Sequence, residues 1–201
     1  MRYANVDISL TFFPSTIETL VLTYSSFPCG WFKALTESKD CLTRLTHLDL
    51  TESRKLTDSD LISICRSRDR LVVLKLNGCY RLTGLGLKEI ACLTDLVVLE
   101  ISATRCDDLS LHHLCRANKR LEELNLSFCT EIRDQSLEIV ATLARLRTLN
   151  VEGCSKITSD GLRCLAAGCK ELQTLNVKNT SAKSNDLKFP LPNCQIVSDE
   201  I

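Results

Sequence analysis

Residues 71–95 read LVVLKLNGCYRLTGLGLKEIACLTD, and the motif L-x-x-L-x-L that opens this stretch occurs five more times along the chain, with Ile or Val as the last residue in three of the copies. The six copies begin at Leu45, Leu71, Leu96, Leu121, Leu146 and Leu172. Successive copies are 26, 25, 25, 25 and 26 residues apart, a period typical of proteins built from stacked repeats. Such a stack builds a broad surface rather than a deep pocket, so we expect a chain that binds another protein.

Each repeat predicts a short strand, a turn and a helix. In the repeat quoted above, Leu74 and Leu76 alternate with outward-facing residues, as in a strand with one buried face. Thr83 can cap a helix, and Leu87 and Ile90 then recur at helical spacing. Because neither element can bury its apolar face alone, neighbouring repeats must stack. We therefore predict an α/β solenoid whose parallel strands form a concave sheet, with the helices on the convex side.

The two ends of the chain depart from the repeat. Residues 17–22 predict a further strand, and alternating apolar residues at 6–10 suggest another strand before it. Beyond the last motif, residues 179–189 are polar and poor in helix formers, whereas residues 194–197 favour a last short strand. We predict a single domain over 1–201 with a strand-rich N-terminal cap at 1–16, repeats at 17–44, 45–70, 71–95, 96–120, 121–145 and 146–171, and a C-terminal cap at 172–201.

The composition argues against several classes of partner. Lys plus Arg and Asp plus Glu both number 25, so the formal net charge is zero, which disfavours attraction to nucleic acid or to a membrane surface. No apolar run is long enough to span a bilayer, and the opening residues lack the apolar core of a signal peptide. We expect a monomer that is soluble and resides in the cytoplasm, the nucleus or both.

The twelve cysteines follow the repeat rather than a disulfide framework. Three of them lie eight residues after the first leucine of their repeat, namely Cys79, Cys129 and Cys154. Four others lie on the predicted helices, namely Cys65, Cys92, Cys115 and Cys164. Because cysteine behaves as a small buried apolar residue with a weak donor, we interpret these as reduced core residues, with disulfides as the alternative. Reduced cysteines predict a reducing compartment.

The extended pattern L-x-x-L-x-L-x-x-C-x-x-[IL]-T-x-x-x-L underlies the segments KLNGCYRLTGLGL, NLSFCTEIRDQSL and NVEGCSKITSDGL. It resembles the cysteine-containing subtype of leucine-rich repeat, and the chain resembles the F-box and leucine-rich repeat proteins over most of its length. The resemblance implies a leucine-rich repeat solenoid, or horseshoe. It also implies the substrate-recognition part of an SCF-type ubiquitin ligase, in which the repeats bind the protein to be ubiquitinated and an N-terminal F-box binds a Skp-type adaptor.

The chain departs from that family at its N-terminus. Only 16 residues precede Ile17, and they suggest a strand rather than a helical F-box. We therefore expect the Skp-type adaptor and cullin as partners only if an F-box is present in the full-length protein. The alternative is a free-standing leucine-rich repeat scaffold or regulator unconnected to ubiquitin.

The outward strand positions of successive repeats are the candidate binding residues, because together they would form the concave face. From them we select His47, Asp49, Val73, Lys75, Val98, Glu100, Glu123, Asn125, Asn150 and Asn176. Val73 and Val98 should lie about 5 Å apart on adjacent strands and form an apolar spot flanked by Lys75 and Glu100. Our hypothesis is that this spot contacts a protein partner; the alternative is that valine is simply a good strand former.

Charge also separates along the repeat, with acidic residues at the predicted helix starts and basic residues at the helix ends. The simpler interpretation is favourable pairing with the helix dipoles. The functional alternative is a positive edge that binds an acidic or phosphorylated partner. The candidate residues for this edge are Arg68, Arg70 and Arg120.

No motif in the chain predicts catalysis. Cys106, His112, His113 and Cys115 lie close in sequence, but their spacing matches no strong zinc pattern and nothing orients a histidine as the base for a cysteine. A phosphate-binding loop and a nucleophile elbow are also missing from the sequence. We expect no catalytic residues, no metal and no cofactor, and hence a non-enzyme that is at most the substrate-receptor component of a ligase complex.

Overall fold

The structure is a computed structural model that describes residues 4–5, 13–28, 30–34, 41–182 and 193–199. The strands are β1 (Ala4–Asn5), β2 (Thr19–Val21), β3 (Ser25–Ser26), β4 (His47–Asp49), β5 (Val73–Lys75), β6 (Val98–Glu100), β7 (Glu123–Asn125), β8 (Thr148–Asn150), β9 (Thr174–Asn176) and β10 (Gln195–Val197). The helices are α1 (Asp58–Ser67), α2 (Gly84–Leu87), α3 (Asp108–Ala117), α4 (Asp134–Val140) and α5 (Ser159–Gly168), with a 3-10 helix at Lys88–Cys92. Within the described ranges, no helix is long and apolar enough to cross a membrane.

Eight of the strands form one parallel sheet in the order β10-β9-β8-β7-β6-β5-β4-β2. Each repeat contributes one strand, and the central strand residue of each repeat is a buried leucine that pairs with its counterpart in the next repeat. The helices follow the strands in sequence and pack on one another along the stack. This arrangement confirms the predicted α/β solenoid. The strand expected at 6–10 and most of the polar segment at 179–189 lie outside the described residues.

One continuous hydrophobic core runs through the stack. It is built from leucines of the strands and of the helices, and most of these side chains are inaccessible to solvent. At the N-terminal end the repeat is replaced by an aromatic cluster of Phe27, Trp31 and Phe32, with ring centroids 4.7 to 5.0 Å apart. Bulky rings cover the end of the core, which a terminal repeat must do because it has no neighbour on that side.

A left-handed residue follows every strand of the stack up to β9. These residues are Tyr24, Glu52, Gly78, Ala103, Phe128, Gly153 and Asn179, with φ between 54° and 73°. In six of the seven, the backbone N–H of this residue donates to a carbonyl of the next repeat, as from Glu52 to Asn77 at 2.7 Å and from Gly78 to Ser102 at 2.9 Å. The N–H of Asn179 donates to the Asp199 carboxylate instead, at 2.9 Å. Only glycine adopts such a φ without strain. At the residues other than glycine, the hydrogen bond between repeats stabilises this strained backbone conformation.

The turn cysteines have a hydrogen-bonding role as well as a packing role. Cys79, Cys129 and Cys154 are fully buried, and each thiol donates to a backbone carbonyl of the preceding repeat. The acceptors are the carbonyls of Leu50 (3.3 Å), Ile101 (3.3 Å) and Leu126 (3.2 Å), respectively. Ser53, at the same position of its repeat, donates to the Leu22 carbonyl at 3.2 Å. The carbonyls of Leu50 and Leu126 also accept a backbone N–H within their own turns, so the thiol is a second donor to each of these buried oxygens.

The prediction that the helix cysteines all lie in the core is wrong for two of them. All described cysteines are free thiols, but Cys92 and Cys164 are exposed. Cys65 and Cys115 stand eight residues after the N-cap of their helices and are buried. Cys164 stands six residues after its N-cap, and Cys92 nine, so their side chains point away from the core face of the helix.

Aspartates at the helix starts connect each helix to the next. The Asp58 carboxylate accepts hydrogen bonds from the backbone N–H (2.8 Å) and the hydroxyl (2.6 Å) of Thr83, the N-cap of α2. Asp134 does the same for Thr158, the N-cap of α5, at 2.8 and 2.7 Å. The acidic residues therefore lie in the first helical turn, as the sequence predicts, and also bind the neighbouring repeat.

We expect Asp134→Ala to lower the free energy of unfolding by about 2 kcal/mol, because both donors of Thr158 lose a charged acceptor. Asp160→Ala is the matched control, since Asp160 is exposed and pairs only with Arg163 on its own helix. That control should cost less than about 1 kcal/mol. Urea unfolding followed by circular dichroism measures both; equal losses would contradict the role assigned to Asp134.

Burial raises the pKa of the Cys154 thiol from 9.0 to about 12, so the folded protein keeps a proton that the unfolded chain loses above pH 9. The resulting stability is complete below pH 9 and is lost as the pH rises toward 12. The stability difference between the native chain and Cys154→Ala should therefore shrink by about 1 kcal/mol between about pH 8 and about pH 10. Val151→Ala, a buried truncation without an ionisable group, should cost the same at both pH values; urea unfolding under reducing conditions tests this.

Candidate protein-binding surface

The structure places the ten selected strand residues in two adjacent rows on one face of the sheet. The first row contains His47, Val73, Val98 and Glu123, and continues through Thr148 and Thr174. The second row contains Asp49, Lys75, Glu100, Asn125, Asn150 and Asn176. Between the rows lie the buried central leucines, which point to the opposite side of the sheet. The residues selected from the sequence therefore share one continuous face.

An apolar spot lies within this face, as expected from the sequence. Val73 and Val98 are direct neighbours in the register of β5 and β6, and both are half-buried. The exposed side chains of His47 and Glu123 stand on either side of them in the same row. The spot therefore combines an apolar centre with polar surroundings.

An ion pair fixes one border of the apolar spot. Lys75 Nζ lies 2.7 Å from Glu100 Oε1, and the hydrogen bond to Glu100 raises the pKa of Lys75. The other carboxylate oxygen of Glu100 accepts from the side-chain amide of Asn77 at 2.5 Å. The border thus presents two opposite charges in a fixed geometry rather than a single free charge.

The rest of the second row has a local structural role that sequence reasoning missed. The side-chain oxygens of Asn125, Asn150 and Asn176 accept the backbone N–H two residues further on, at 3.0, 2.9 and 3.1 Å. Asp49 does the same for Thr51 at 2.9 Å. These bonds begin the turn that ends each strand, which explains why Asn or Asp recurs there. The recurrence of Asn and Asp at one offset before the turn was the available signal.

The structure corrects the placement of Arg68. Its side chain is only 8% exposed, and its guanidinium donates to the carbonyls of Cys41 at 2.6 Å and Ser67 at 2.5 Å. Arg68 occupies the C-cap of α1, a position at which Asn118 and Cys169 also turn inward and donate to the preceding repeat. It therefore satisfies buried carbonyls and does not belong to an exposed basic edge.

The other two candidates for that edge differ from each other. Arg120 forms an ion pair with Asp95 at 2.6 Å, and both side chains are about half exposed. Arg70 is exposed. The three arginines therefore comprise one buried, one paired and one exposed side chain, and do not form a continuous positive edge.

The cysteines and histidines considered for chemistry face different environments. Cys106 and Cys115 are fully buried, whereas His112 and His113 are exposed on α3. Burial raises the pKa of Cys115 to about 12, so this thiol is protonated at neutral pH, unlike a thiolate nucleophile. In the part of the chain that the structure describes, no group of three or more His, Cys, Asp or Glu side chains is placed to hold a metal ion.

Residues 117–139 and 145–166 match the family model described as Leucine Rich repeat. Each of these segments begins near the end of one repeat and runs to the helix of the following repeat. The fold is that of a leucine-rich repeat protein. The match and the eight-stranded parallel sheet agree on this point.

Solved leucine-rich repeat structures share the architecture of this chain at low sequence identity. Human trophoblast glycoprotein is 18% identical with a TM-score of 0.63, and the match covers 94% of this chain and 72% of that one. A chain of the yeast Rad7 and Elc1 complex is 17% identical with a TM-score of 0.62, covering 92% and 55%. Internalin C2 of Listeria monocytogenes is 19% identical with a TM-score of 0.62, covering 92% and 82%.

One curated relative matches over most of the chain. Antagonist of mitotic exit network protein 1 of Candida glabrata is 28% identical over 166 residues. The match covers 82% of this chain and 26% of that protein, so the chain spans about a quarter of the length of this relative.

The exposure of the thiols predicts which of them react. We expect Cys92 and Cys164 to be modified rapidly by a maleimide at neutral pH, because both side chains are exposed. Cys79, Cys115 and Cys154 should be modified only after urea unfolding, since burial holds their pKa values near 12. Peptide mapping by mass spectrometry reports each residue separately; rapid modification of Cys115 in the folded protein would contradict its burial.

Proposed function

We propose that the chain is the substrate-recognition module of an SCF-type ubiquitin ligase, whose concave face binds the protein to be ubiquitinated. The continuous two-row face with Val73 and Val98 near its centre is the observation that carries the proposal. The cysteine-containing repeat pattern supports the ligase assignment. Within that family, residues 13–35 and 45–61 resemble F-box and leucine-rich repeat protein twelve more than the other members. The Skp-type adaptor and cullin are partners in this proposal only if the full-length protein contains an F-box.

The dimensions of the concave face suit a protein partner. Eight strands spaced about 4.8 Å apart give a face roughly 35 Å long, enough for one side of an interface of ordinary size. β5 and β6 are the third and fourth strands from one end of the sheet, which places the valine pair near the middle. Energetically dominant contacts tend to cluster at the centre of an interface, surrounded by polar residues that exclude water.

Two further observations agree with the proposal. The fold is shared with a chain of the Rad7 and Elc1 complex, which is itself a complex between two proteins. The described cysteines are free thiols, and most of them are buried, which suits a reducing compartment such as the cytoplasm or the nucleus.

The proposal predicts that Val73→Asp/Val98→Asp abolishes substrate capture. Two carboxylates at the centre of the face would have to be desolvated by a partner, which should weaken binding at least about 100-fold. The chain would be fused to an F-box segment and expressed in cells with the proteasome inhibited. Mass spectrometry then measures the captured proteins and their ubiquitinated peptides.

Thr130→Asp/Ala144→Asp is the matched control, because it adds the same charge at exposed positions away from the concave face. The expected result is a set of captured proteins that is ubiquitinated with the native chain and the control, and is lost with the valine variant. Capture that survives the valine variant would rule out the concave face. If the native chain captures proteins but their ubiquitination does not increase, a free-standing scaffold would be favoured over a ligase subunit.

A further inference from the structure

The apolar spot on the concave face has more carboxylates than cations beside it. The charged side chains of the two rows between β4 and β7 are Asp49, Lys75, Glu100 and Glu123. Three carboxylates and one ammonium group leave two negative charges, with His47 neutral at pH 7. The next outward position of the same repeats is uncharged and holds Thr51, Asn77, Ser102 and Ser127. The spot therefore lies in a locally negative part of a chain whose net charge is zero.

The ion pair within the two rows leaves two of the carboxylates uncompensated. Lys75 is neutralised by Glu100. Asp49 accepts the backbone N–H of Thr51, a neutral donor, and so keeps its charge. In the part of the chain that the structure describes, neither Asp49 nor Glu123 has a cation within ion-pair distance. The hydrogen bond to Glu100 raises the pKa of Lys75, and the charges of Asp49 and Glu123 add to the increase, which places both carboxylates near that ammonium group.

The charges beyond the two rows are mixed and lie further from the valines. Ion pairs join Glu52 to Arg54, Asp95 to Arg120 and Glu122 to Arg147. Arg44 and Arg70 each stand three residues before the first residue of a strand, β4 and β5 respectively. Three residues of extended chain span about 10 Å, which is close to the distance over which salt screens exposed charges. These arginines therefore act on the apolar spot more weakly than the carboxylates of the two rows.

Glu123 is the carboxylate that a partner can reach together with the apolar spot. Its exposed side chain stands next to Val98 in the register of β6 and β7, one strand beyond the valine pair. At about 4.8 Å per strand, Glu123 lies roughly 7 Å from the midpoint between Val73 and Val98. In an extended segment, side chains two positions apart lie on the same side and are also separated by about 7 Å. A segment that crosses the strands can therefore place one side chain on the valines and another beside Glu123.

We propose that the protein bound at the concave face presents an extended segment in which an apolar side chain packs on Val73 and Val98 and a Lys or Arg two positions away pairs with Glu123. The apolar side chain removes the two half-buried valines from water, and the basic side chain compensates the Glu123 carboxylate. An acidic segment would bring its carboxylates against Asp49 and Glu123, which disfavours binding. The inference rests on the proposed function, because it names the class of segment that the same face recognises.

The test selects binders from a phage-displayed library of random peptides of about twelve residues, with the purified intact chain as the bait. Sequencing of the selected peptides should show Lys or Arg enriched two positions away from Leu, Ile or Val. A selected pattern without Lys or Arg would overturn the proposal, and so would a selection in which no pattern is enriched.

Charge reversal at Glu123 shows whether this residue sets the pattern. Selection on Glu123→Lys should replace Lys and Arg by Asp and Glu at the same position, because the pairing group has changed its sign. Glu138→Lys is the matched control, since it reverses the same charge at an exposed residue of α4, outside the sheet. The control should select the same pattern as the native chain. An unchanged pattern with Glu123→Lys would overturn the proposal.

Fluorescence anisotropy then measures the binding of one labelled peptide that carries the most enriched sequence. Glu123→Lys should weaken binding at least about 10-fold, and Val73→Ser/Val98→Ser about 5-fold, through charge repulsion and lost apolar contact respectively. Glu138→Lys should leave the affinity unchanged, and an equal loss in this control would contradict the assigned site. Circular dichroism confirms that each variant is folded.

This inference and the proposed function can fail separately. If no basic pattern is selected, but Val73→Asp/Val98→Asp still abolishes capture and ubiquitination in cells, only the inference about the segment is overturned. If the selected pattern depends on Glu123, but no captured protein is ubiquitinated, the inferred segment is supported and the ligase assignment fails.

Discussion

Hydrogen bonds that pass from one repeat to the next hold this structure together. A strand of three residues, such as β5, has too few backbone groups to be stable alone, and each repeat leaves donors and acceptors that only its neighbour can satisfy. The left-handed turn residue donates forward, the turn cysteine donates backward, and the helix-start aspartate accepts from the next helix cap. These contacts recur at similar offsets in successive repeats, and the five repeats between Leu45 and Glu171 differ in length by only one residue.

The helix starts of neighbouring repeats lie close together, which restricts the residues that fit between them. A side chain at Gly86 would bring its Cβ to 2.9 Å from Asp58 Cα, and one at Gly161 would come equally close to Asp134 Cα. The equivalent positions of two other repeats are Ser110 and Ser136, which are small and buried. Small residues allow the aspartate of one helix to reach the cap of the next, because the helix starts must approach more closely than ordinary side chains permit.

The repeat pattern of the sequence predicts the fold because apolar residues recur wherever a side chain faces the core. This recurrence has a period of two residues in a strand and about 3.6 in a helix. It also predicts that Val73 and Val98 are neighbours, since the registers of successive strands are equal. Whether Cys164 is exposed depends on the side of the helix on which it lies. The sequence prediction considered only that each helix carries a cysteine, so it could not tell the two sides apart. Arg68 was misplaced for a different reason: a charged side chain is expected at the surface, yet the buried carbonyls near a helix end need long donors.

The structure also separates side chains that maintain the stack from side chains that are free to vary. In the second row of the concave face, Asn125 and Asn150 are held by the turn, so replacing them disturbs the fold as well as any partner. In the first row, Val73 and Val98 face outward from a sheet whose backbone bonds do not involve their side chains. A repeat protein can change the first row without altering its own backbone. Selectivity for a partner is therefore expected to reside in the first row and in exposed turn residues, and the second row supplies the rigid frame that presents them.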